Sequence, residues 1–256
     1  MKLSLNHRWR IAAAGISYVV FAIGAFIPGI YVFCLALFPL DAKAKQKRAR
    51  LAIKRLCRFY VGFMQFLGLL DYRLEQNQSQ PITGHLVISN HSTLIDALFI
   101  LAYVDDLCCV VKDQLCHNPI TRIPVRLAGY ISNNSDDFIE SASAKIAAGE
   151  NILIFPEGTR NQFDTQLDFK RGAANIAILS HSPVLPILIH CNPRALQKGQ
   201  SWYELPSVKS NILIRINPTL QIKDCVDISL PRTLQYRRLT EFWREYYFQQ
   251  LKSISD

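Results

Sequence analysis

Half of the chain's 256 residues are hydrophobic, which is enough for one large α/β domain with a substantial core and an appendage. The seven cysteines are an odd set without a C-x-x-C pair, which argues against a disulfide framework and a zinc site and favours reduced thiols facing the cytoplasm. The formal net charge of +9 indicates an anionic partner: nucleic acid, an anionic lipid surface or an anionic substrate.

The first predicted element is an apolar stretch, residues 11–40, that contains no Asp, Glu, Lys or Arg. Because about 20 apolar residues cross a bilayer, this stretch can span once but is too short for two full crossings. Pro28 and Gly29 interrupt it, which leaves a kinked single span and a shallow two-helix hairpin open. A signal peptide is less consistent with such a long run. A buried pair of helices in a soluble protein is the other alternative.

The next element is a basic segment, residues 43–58, followed directly by the aromatic-rich residues 59–66. Basic residues beside apolar aromatic ones are typical of an interfacial helix on anionic lipid, whereas a solvated helix face is the common alternative. Nucleic acid is not expected as a partner because no recognition motif accompanies the charge. Basic flanks on both sides of the apolar stretch place them on the cytoplasmic side of a membrane. We therefore expect a protein of the inner, cytoplasmic membrane with its catalytic domain on the cytoplasmic face.

From about residue 72 the pattern becomes that of a soluble domain in which strands alternate with helices. Such alternation predicts a doubly wound or mixed α/β sheet. The predicted strands are residues 72–74, 86–89, 107–111, 130–132, 151–155, 184–190 and 212–217. The predicted helices are residues 93–103, 118–127, 136–148, 171–180 and 232–252. We place the boundary near residue 70, with a membrane anchor and basic interfacial helix in 1–70 and the catalytic domain in 71–256.

A candidate acid–base pair follows the second predicted strand. His91 lies just beyond the strand's carboxyl end, and Asp96 comes five residues later. On an unbroken helix these side chains would point roughly 140° apart. If His91 lies in the turn before the helix, Asp96 can hold one ring nitrogen protonated and leave the other free as a base. On this spacing alone, a core histidine next to a surface aspartate is the favoured interpretation.

A second polar segment follows the predicted strand at residues 151–155 and reads Pro156-Glu157-Gly158-Thr159-Arg160. Glycine permits a tight turn where the backbone approaches a ligand. The guanidinium of Arg160 suits a phosphate or a carboxylate. A surface ion pair between Glu157 and Arg160 is the alternative.

Together the two segments resemble the lysophosphatidic acid acyltransferase family, the glycerolipid acyltransferases with an H-x4-D motif. The resemblance rests on residues 90–96 (NHSTLID) and 155–160 (FPEGTR) in this order, and it extends over about residues 40–220. Lys112 with Pro119, the turn at residues 169–172 and the segment 184–187 are further similarities. The family implies a mixed, mostly parallel central sheet flanked by helices, as in glycerol-3-phosphate acyltransferase, behind an N-terminal membrane-associated helix or helical hairpin.

The resemblance also implies a reaction. His91, oriented by Asp96, would act as general base on a lysolipid hydroxyl, which attacks the thioester of acyl-CoA or acyl-carrier protein. Neither an acyl-enzyme nor a metal or cofactor is required. The expected partners are thus the lysolipid acceptor, the acyl donor and the membrane. The substrate-binding residues that the resemblance implies are Asn90, Lys112, Glu157, Gly158, Thr159, Arg160 and Lys170.

One departure from the family concerns the segment before the glutamate motif, where many members carry an arginine. Here residues 129–137 read GYISNNSDD, in which Asn133 and Asn134 supply no positive charge. This puts lysophosphatidate in doubt as the acceptor. The segments 111–133 and 198–203 are similar to a branch of the family found among aryl-polyene lipid biosynthesis proteins, which implies a specialised lipid acceptor and a carrier-protein donor. A lipid-binding scaffold without catalysis is the non-enzymatic alternative.

Overall fold

The computed structural model describes residues 5–36, 39, 41–119, 121–160 and 167–255, and the side chains of residues 25–36 are outside this description. The described helices are α1 (Leu5–Ala36), α2 (Ala42–Phe66), α3 (Asp96–Tyr103), α4 (Asp113–His117), α5 (Arg122–Leu127), α6 (Phe138–Ala147), α7 (Gly172–Ser180), α8 (Ile222–Cys225) and α9 (Arg232–Ser255). The described strands are β1 (Leu70–Gln76), β2 (Leu86–Ser89), β3 (Leu107–Val111), β4 (Ile131–Ser132), β5 (Asn151–Ile154), β6 (Val184–Asn192) and β7 (Ser210–Ile216).

The seven strands form one sheet in the order β1-β7-β6-β2-β5-β3-β4. Five of the six neighbouring pairs are parallel, and β6 with β7 is the antiparallel pair. The predicted mixed, mostly parallel sheet flanked by helices is therefore confirmed. The strand β2 lies between β5 and β6, so its carboxyl end opens at the middle of the sheet, where ligands gather in α/β folds.

Helices cover both faces of the sheet, which explains why its central strands are apolar throughout. Leu86 and Ile88 of β2 pack into a core formed with α6, α7 and α9. Val87 points to the opposite face and packs into a second core with α2 and α3. All four residues of β2 and of β5 are buried. The side chains that follow these strands therefore start from a rigid platform.

The predicted strands all occur, with ends that differ by a few residues. Helix α3 begins at Asp96 rather than at residue 93, because the backbone before it turns around the Asp96 carboxylate. Helices α4 and α8 were not predicted, since five and four residues are too short to show a helical period.

The N-terminal helices form an antiparallel pair. The indole Nε1–H of Trp9 donates to the Leu67 carbonyl at 3.2 Å, and farther along the pair the hydroxyls of Ser17 and Tyr60 lie 2.7 Å apart. Helix α1 continues through Pro28 and Gly29. Of the two alternatives left open for these residues, the structure therefore has the continuous helix and not a hairpin that turns there.

Among the residues that the structure describes, no helix combines the length and the apolar character that a membrane crossing requires.

Helix α2 packs against α3 through one apolar face, with Ile53, Cys57 and Val61 among its buried residues. Its one deeply buried charge is Arg50, which is 4% exposed. The guanidinium of Arg50 donates to the Ala128 carbonyl at 2.8 Å, to Asp106 at 3.2 Å and to Glu150 at 2.6 Å. Because leaving one partner of a buried pair unpaired costs about 3–5 kcal/mol, this contact fixes α2 on the α/β domain. The boundary proposed near residue 70 stays a prediction.

Candidate active site

The loop that follows β2 is fastened to the neighbouring strand by Asn90. Its amide Nδ2 donates to the Ile189 carbonyl at 2.7 Å, and its Oδ1 accepts from the Ile189 N–H at 2.8 Å. The side chain thus takes the place of one more backbone pair between β2 and β6, and it is 3% exposed. With its oxygen and one amide N–H bonded to β6, Asn90 holds the loop in place, and its role in substrate binding stays a prediction.

The next residue, His91, meets Asp96 as predicted. The ring Nδ1 lies 3.0 Å from Asp96 Oδ2. The Asp96 side chain is 1% exposed and the His91 side chain 20%, so the carboxylate is buried behind a ring that reaches the surface of the site. A carboxylate is an acceptor only, so this contact places the ring proton on Nδ1 and leaves Nε2 as the free, basic nitrogen.

The five-residue spacing works because Asp96 organises the turn that precedes its own helix. Asp96 Oδ2 accepts from the N–H groups of Ser92 and Thr93 at 2.6 Å and 2.8 Å, and Oδ1 accepts from the Thr93 hydroxyl. These bonds keep residues 90–95 out of the helix and fold them back over the carboxylate. As the first residue of α3, Asp96 also lies at the positive end of the helix dipole.

Residues after β5 complete the surroundings of His91. The ring of Phe155 stacks on the imidazole, with centroids 4.3 Å apart and planes 26° from parallel. Glu157 Oε1 accepts the main-chain N–H of His91 at 2.9 Å. Glu157 is 6% exposed, and this burial raises the pKa of its carboxyl to about 7.

The residues that follow Glu157 in this turn lie near other parts of the chain than His91. Gly158 has φ +66°, and a Cβ there would lie 3.1 Å from Lys170 Nζ, so glycine suits both the backbone and the close lysine. Thr159 follows and is half-buried. Arg160 Nη1 donates to the carbonyls of Leu196 and Gln197 at 3.0 Å and 3.2 Å. The contacts described for Glu157 and Arg160 are thus with different partners, and not with each other as in the alternative considered for them.

A cavity of about 990 Å³ opens in front of His91, between the sheet and the N-terminal helices. Its walls are mainly apolar, and α1, α2 and α3 contribute to them, for example through Val20, Tyr60 and Leu98. Its polar lining includes His91, Lys112, Asn133, Arg160 and Lys170. The sequence did not predict the contribution of α1 and α2 to this cavity, because helical packing across such separations leaves no local signal.

The segment that lacks the family's arginine also contributes to this cavity. Asn133 lies in its lining, at the segment where an arginine was expected. The Asn133 side-chain oxygen accepts the Asp113 N–H at 3.2 Å, so the amide serves the start of α4. The positive charges that do line the cavity are those of Lys112, Lys170 and Arg160 among the described residues.

Comparison with known proteins agrees with this geometry. The family model described as Acyltransferase matches residues 72–190, a range that contains both polar segments. The chain is 24% identical over 193 residues to a 1-acyl-sn-glycerol-3-phosphate acyltransferase of Pseudomonas aeruginosa, an alignment that covers 72% of this chain and 70% of the relative. It is 27% identical over 174 residues to the human protein named 1-acyl-sn-glycerol-3-phosphate acyltransferase alpha, covering 64% and 61%.

A solved structure shares the fold over almost the whole length. The 1-acyl-sn-glycerophosphate (LPA) acyltransferase of Thermotoga maritima superposes with a TM-score of 0.77 at 18% identity and covers 98% of both chains. That likeness includes the N-terminal helices as well as the sheet. The family model and the curated relatives support an acyltransferase of the lysophosphatidic acid acyltransferase type, and the solved structure shares its fold.

Proposed function

We propose that this protein transfers a fatty acyl group from the thioester of acyl-CoA or acyl-carrier protein to the hydroxyl of a lysophosphatidate-type lysolipid. The observation that carries the proposal is the bond between His91 Nδ1 and Asp96 at the mouth of an apolar cavity of about 990 Å³. Such a cavity suits an acyl chain, and the free Nε2 of His91 suits a proton acceptor.

In the proposed reaction His91 Nε2 takes the proton of the acceptor hydroxyl as its oxygen attacks the thioester carbon. A C–O bond forms, the C–S bond breaks, and the imidazolium returns the proton to the leaving thiolate. Asp96 keeps the ring in its orientation and stabilises the imidazolium by its negative charge. No side chain becomes acylated, so no serine or cysteine nucleophile is needed.

The anionic group of the acceptor is proposed to meet Arg160, Lys112 and Lys170, which line the same cavity. Arg160 is held by two backbone carbonyls through Nη1, which aims its planar head without neutralising it. Gly158 and Thr159 form the turn that carries Arg160. Because Asn133 brings no charge to this lining, a specialised acceptor without the phosphate, such as the precursor of an aryl-polyene lipid, is the second candidate.

Membrane association is part of the proposal. Large apolar side chains of the N-terminal helix pair are exposed, among them Trp9 at 52%, Ile23 at 61% and Phe66 at 85%. The basic residues of α2 lie on the same helix pair, and together these features suit an anionic lipid surface. We propose the cytoplasmic face of the inner membrane as the location, where lysolipid and acyl donor meet.

The test is a thiol-release assay with acyl-CoA and with acyl-carrier protein as donors, and a panel of lysolipids with and without a phosphate as acceptors. We expect His91→Ala to abolish turnover while the variant unfolds at the wild-type temperature. His85→Ala is the matched control, because this histidine lies at the opposite end of β2 and bonds Thr83. Unchanged turnover in His91→Ala would contradict the mechanism, and a folded protein that releases no thiol with any pair would favour the scaffold.

A further inference from the structure

A second and much smaller cavity lies on the other side of His91. Its volume is about 20 Å³, enough for a single water molecule. The residues around it that carry polar side chains include Asn90, Ser92, Glu157, His190 and Arg194. The space in front of His91 is thus large and mainly apolar, while the space behind it is small and more polar.

Glu157 belongs to the small cavity, although its neighbours in sequence belong to the large one. Phe155, Pro156, Gly158 and Arg160 line the large cavity, whereas Glu157 lines the space behind His91. Its Oε1 is committed to the His91 N–H at 2.9 Å. The carboxyl group is therefore turned away from the place where the acyl donor and the acceptor are proposed to meet.

Two buried polar atoms at the small cavity have no hydrogen-bond partner among the described residues: Glu157 Oε2 and the Ser92 hydroxyl. Glu157 is 6% exposed and Ser92 is 9% exposed. Leaving such atoms unsatisfied costs about 1–3 kcal/mol each, which is why buried polar groups in proteins bond to one another or to ordered water. Both residues line the small cavity, so this side of His91 is held by buried polar groups.

We propose that Glu157 is a positioning residue that holds the main chain of His91 from behind and is not a ligand of the acceptor. This inference rests on the proposed function, in which His91 is the base. The N–H that Glu157 accepts belongs to the same residue whose ring Asp96 orients, so backbone and side chain of His91 are each fixed by one carboxylate. Displacing a reacting group by about 1 Å can cost about 10²-fold in rate.

The charges around Glu157 suit this role. Burial is the main cause that raises the pKa of its carboxyl to about 7; the His91 N–H and Arg194 oppose this shift, and Asp96 and Asp168 add to it. His91 and His190 also face the small cavity, and the Tyr247 hydroxyl, which bonds the Ile88 carbonyl, lies on the α9 side. A carboxylate accepts a hydrogen bond more strongly than a neutral carboxyl, so the hold on His91 tightens as Glu157 loses its proton.

The kinetic test compares Glu157→Gln, Glu157→Ala and Arg160→Ala with the wild type. Gln keeps an oxygen for the His91 N–H, so we expect Glu157→Gln to lose only about threefold in kcat, and Glu157→Ala about 10²-fold, both with the acceptor KM within twofold of wild type. Arg160→Ala is the contrast, since its side chain lines the large cavity and its loss should raise the acceptor KM. A tenfold rise in acceptor KM at unchanged kcat in Glu157→Ala would overturn the inference, as would equal losses of kcat in the Gln and Ala variants.

A second measurement does not depend on turnover. The amide hydrogen of His91 should exchange at least tenfold faster in Glu157→Ala than in wild type, and close to the wild-type rate in Glu157→Gln. If the wild type transfers no acyl group, the proposed function fails while this exchange rate still tests the contact. An unchanged exchange rate in Glu157→Ala, with the melting temperature showing a folded protein, would overturn the positioning role even if the enzyme is active.

Discussion

The two sides of the His91 ring differ in almost every physical respect. In front lies a cavity of about 990 Å³ with mainly apolar walls, to which α1, α2 and α3 contribute, and behind lies a more polar space of about 20 Å³ beside the buried carboxyl of Glu157. The front depends on how α1 and α2 pack against α3. The space behind the ring depends on hydrogen bonds made by the loops that follow β2 and β5. The difference teaches that substrate selection and base chemistry are built from separate parts of the chain.

The strongest test of the hydrogen bonds that hold His91 replaces Asp96, the partner of its Nδ1, with Asn. The amide can no longer stabilise an imidazolium, and it offers an N–H₂ group toward the Ser92 and Thr93 N–H groups that now bond Oδ2. We expect kcat to fall by about 10²–10⁴-fold, the range of general base catalysis, with a smaller change in acceptor KM. Thiol release at several acceptor concentrations measures both. A loss below threefold in a folded variant would show that Asp96 does not serve His91 in turnover.

The next test measures how much the buried carboxyl of Glu157 lowers the free energy of unfolding. The folded-state pKa of Glu157 is about 7, above its ordinary value of 4.5, because burial disfavours the charged form. Between these two values the unfolded chain has lost a proton that the folded chain still holds, so stability falls as the pH rises from 4.5 through 7. The shift corresponds to roughly 3 kcal/mol at pH 8.

Glu157→Gln removes this titration while keeping the size of the side chain. We expect its advantage in the free energy of unfolding over wild type to be absent near pH 4, to grow with pH, and to level off above about pH 7.5. Denaturant unfolding of both proteins at a series of pH values measures the difference, in which all other titrating groups cancel. A pH-independent difference would contradict a buried carboxyl of raised pKa at this position.

A smaller effect is expected from narrowing the apolar side. Leu98→Trp adds volume to a residue that lines the large cavity, so long acyl chains should suffer more than medium ones. One methylene contributes about 0.8 kcal/mol, so excluding two of them lowers the ratio of kcat/KM for long over medium chains by about tenfold. Leu179→Trp on α7 is the control, because Leu179 is 39% exposed and is outside the lining of the large cavity. If the ratio of kcat/KM for long over medium chains is unchanged in Leu98→Trp, the acyl chain does not bind in this cavity.

Sequence reasoning reached the sheet and the His91–Asp96 pair because both have local signals. Short apolar runs such as those at residues 86–89 and 184–190 marked the strands, and the polar break after β2 marked the turn. The true start of α3 was missed because a carboxylate that caps its own preceding turn looks, in sequence, like one more helical residue. The pairing of the two motifs in one chain, rather than either motif alone, indicated the family.

The remaining features depend on contacts between distant parts of the chain. Asn90 was predicted to bind substrate, and its amide bonds the backbone of Ile189, 99 residues away. Glu157 was predicted to bind substrate too, yet its carboxyl reaches the backbone of His91, 66 residues away. The walls that α1 and α2 give to the large cavity follow from helix packing that no local pattern encodes. Residue type alone therefore indicates that a polar group matters, but not which side of the base it faces.

The anchoring of α2 by Arg50 has an evolutionary consequence. Its contacts with Asp106 and Glu150 lie outside both cavities, so this anchor does not involve the apolar side chains that α2 presents to the large cavity. Substitutions among those side chains therefore leave the ion pairs of Arg50 and the contact between His91 and Asp96 in place. Under the proposed function, the lipid specificity of such enzymes can therefore diverge between lineages while the pair of His91 and Asp96 is kept.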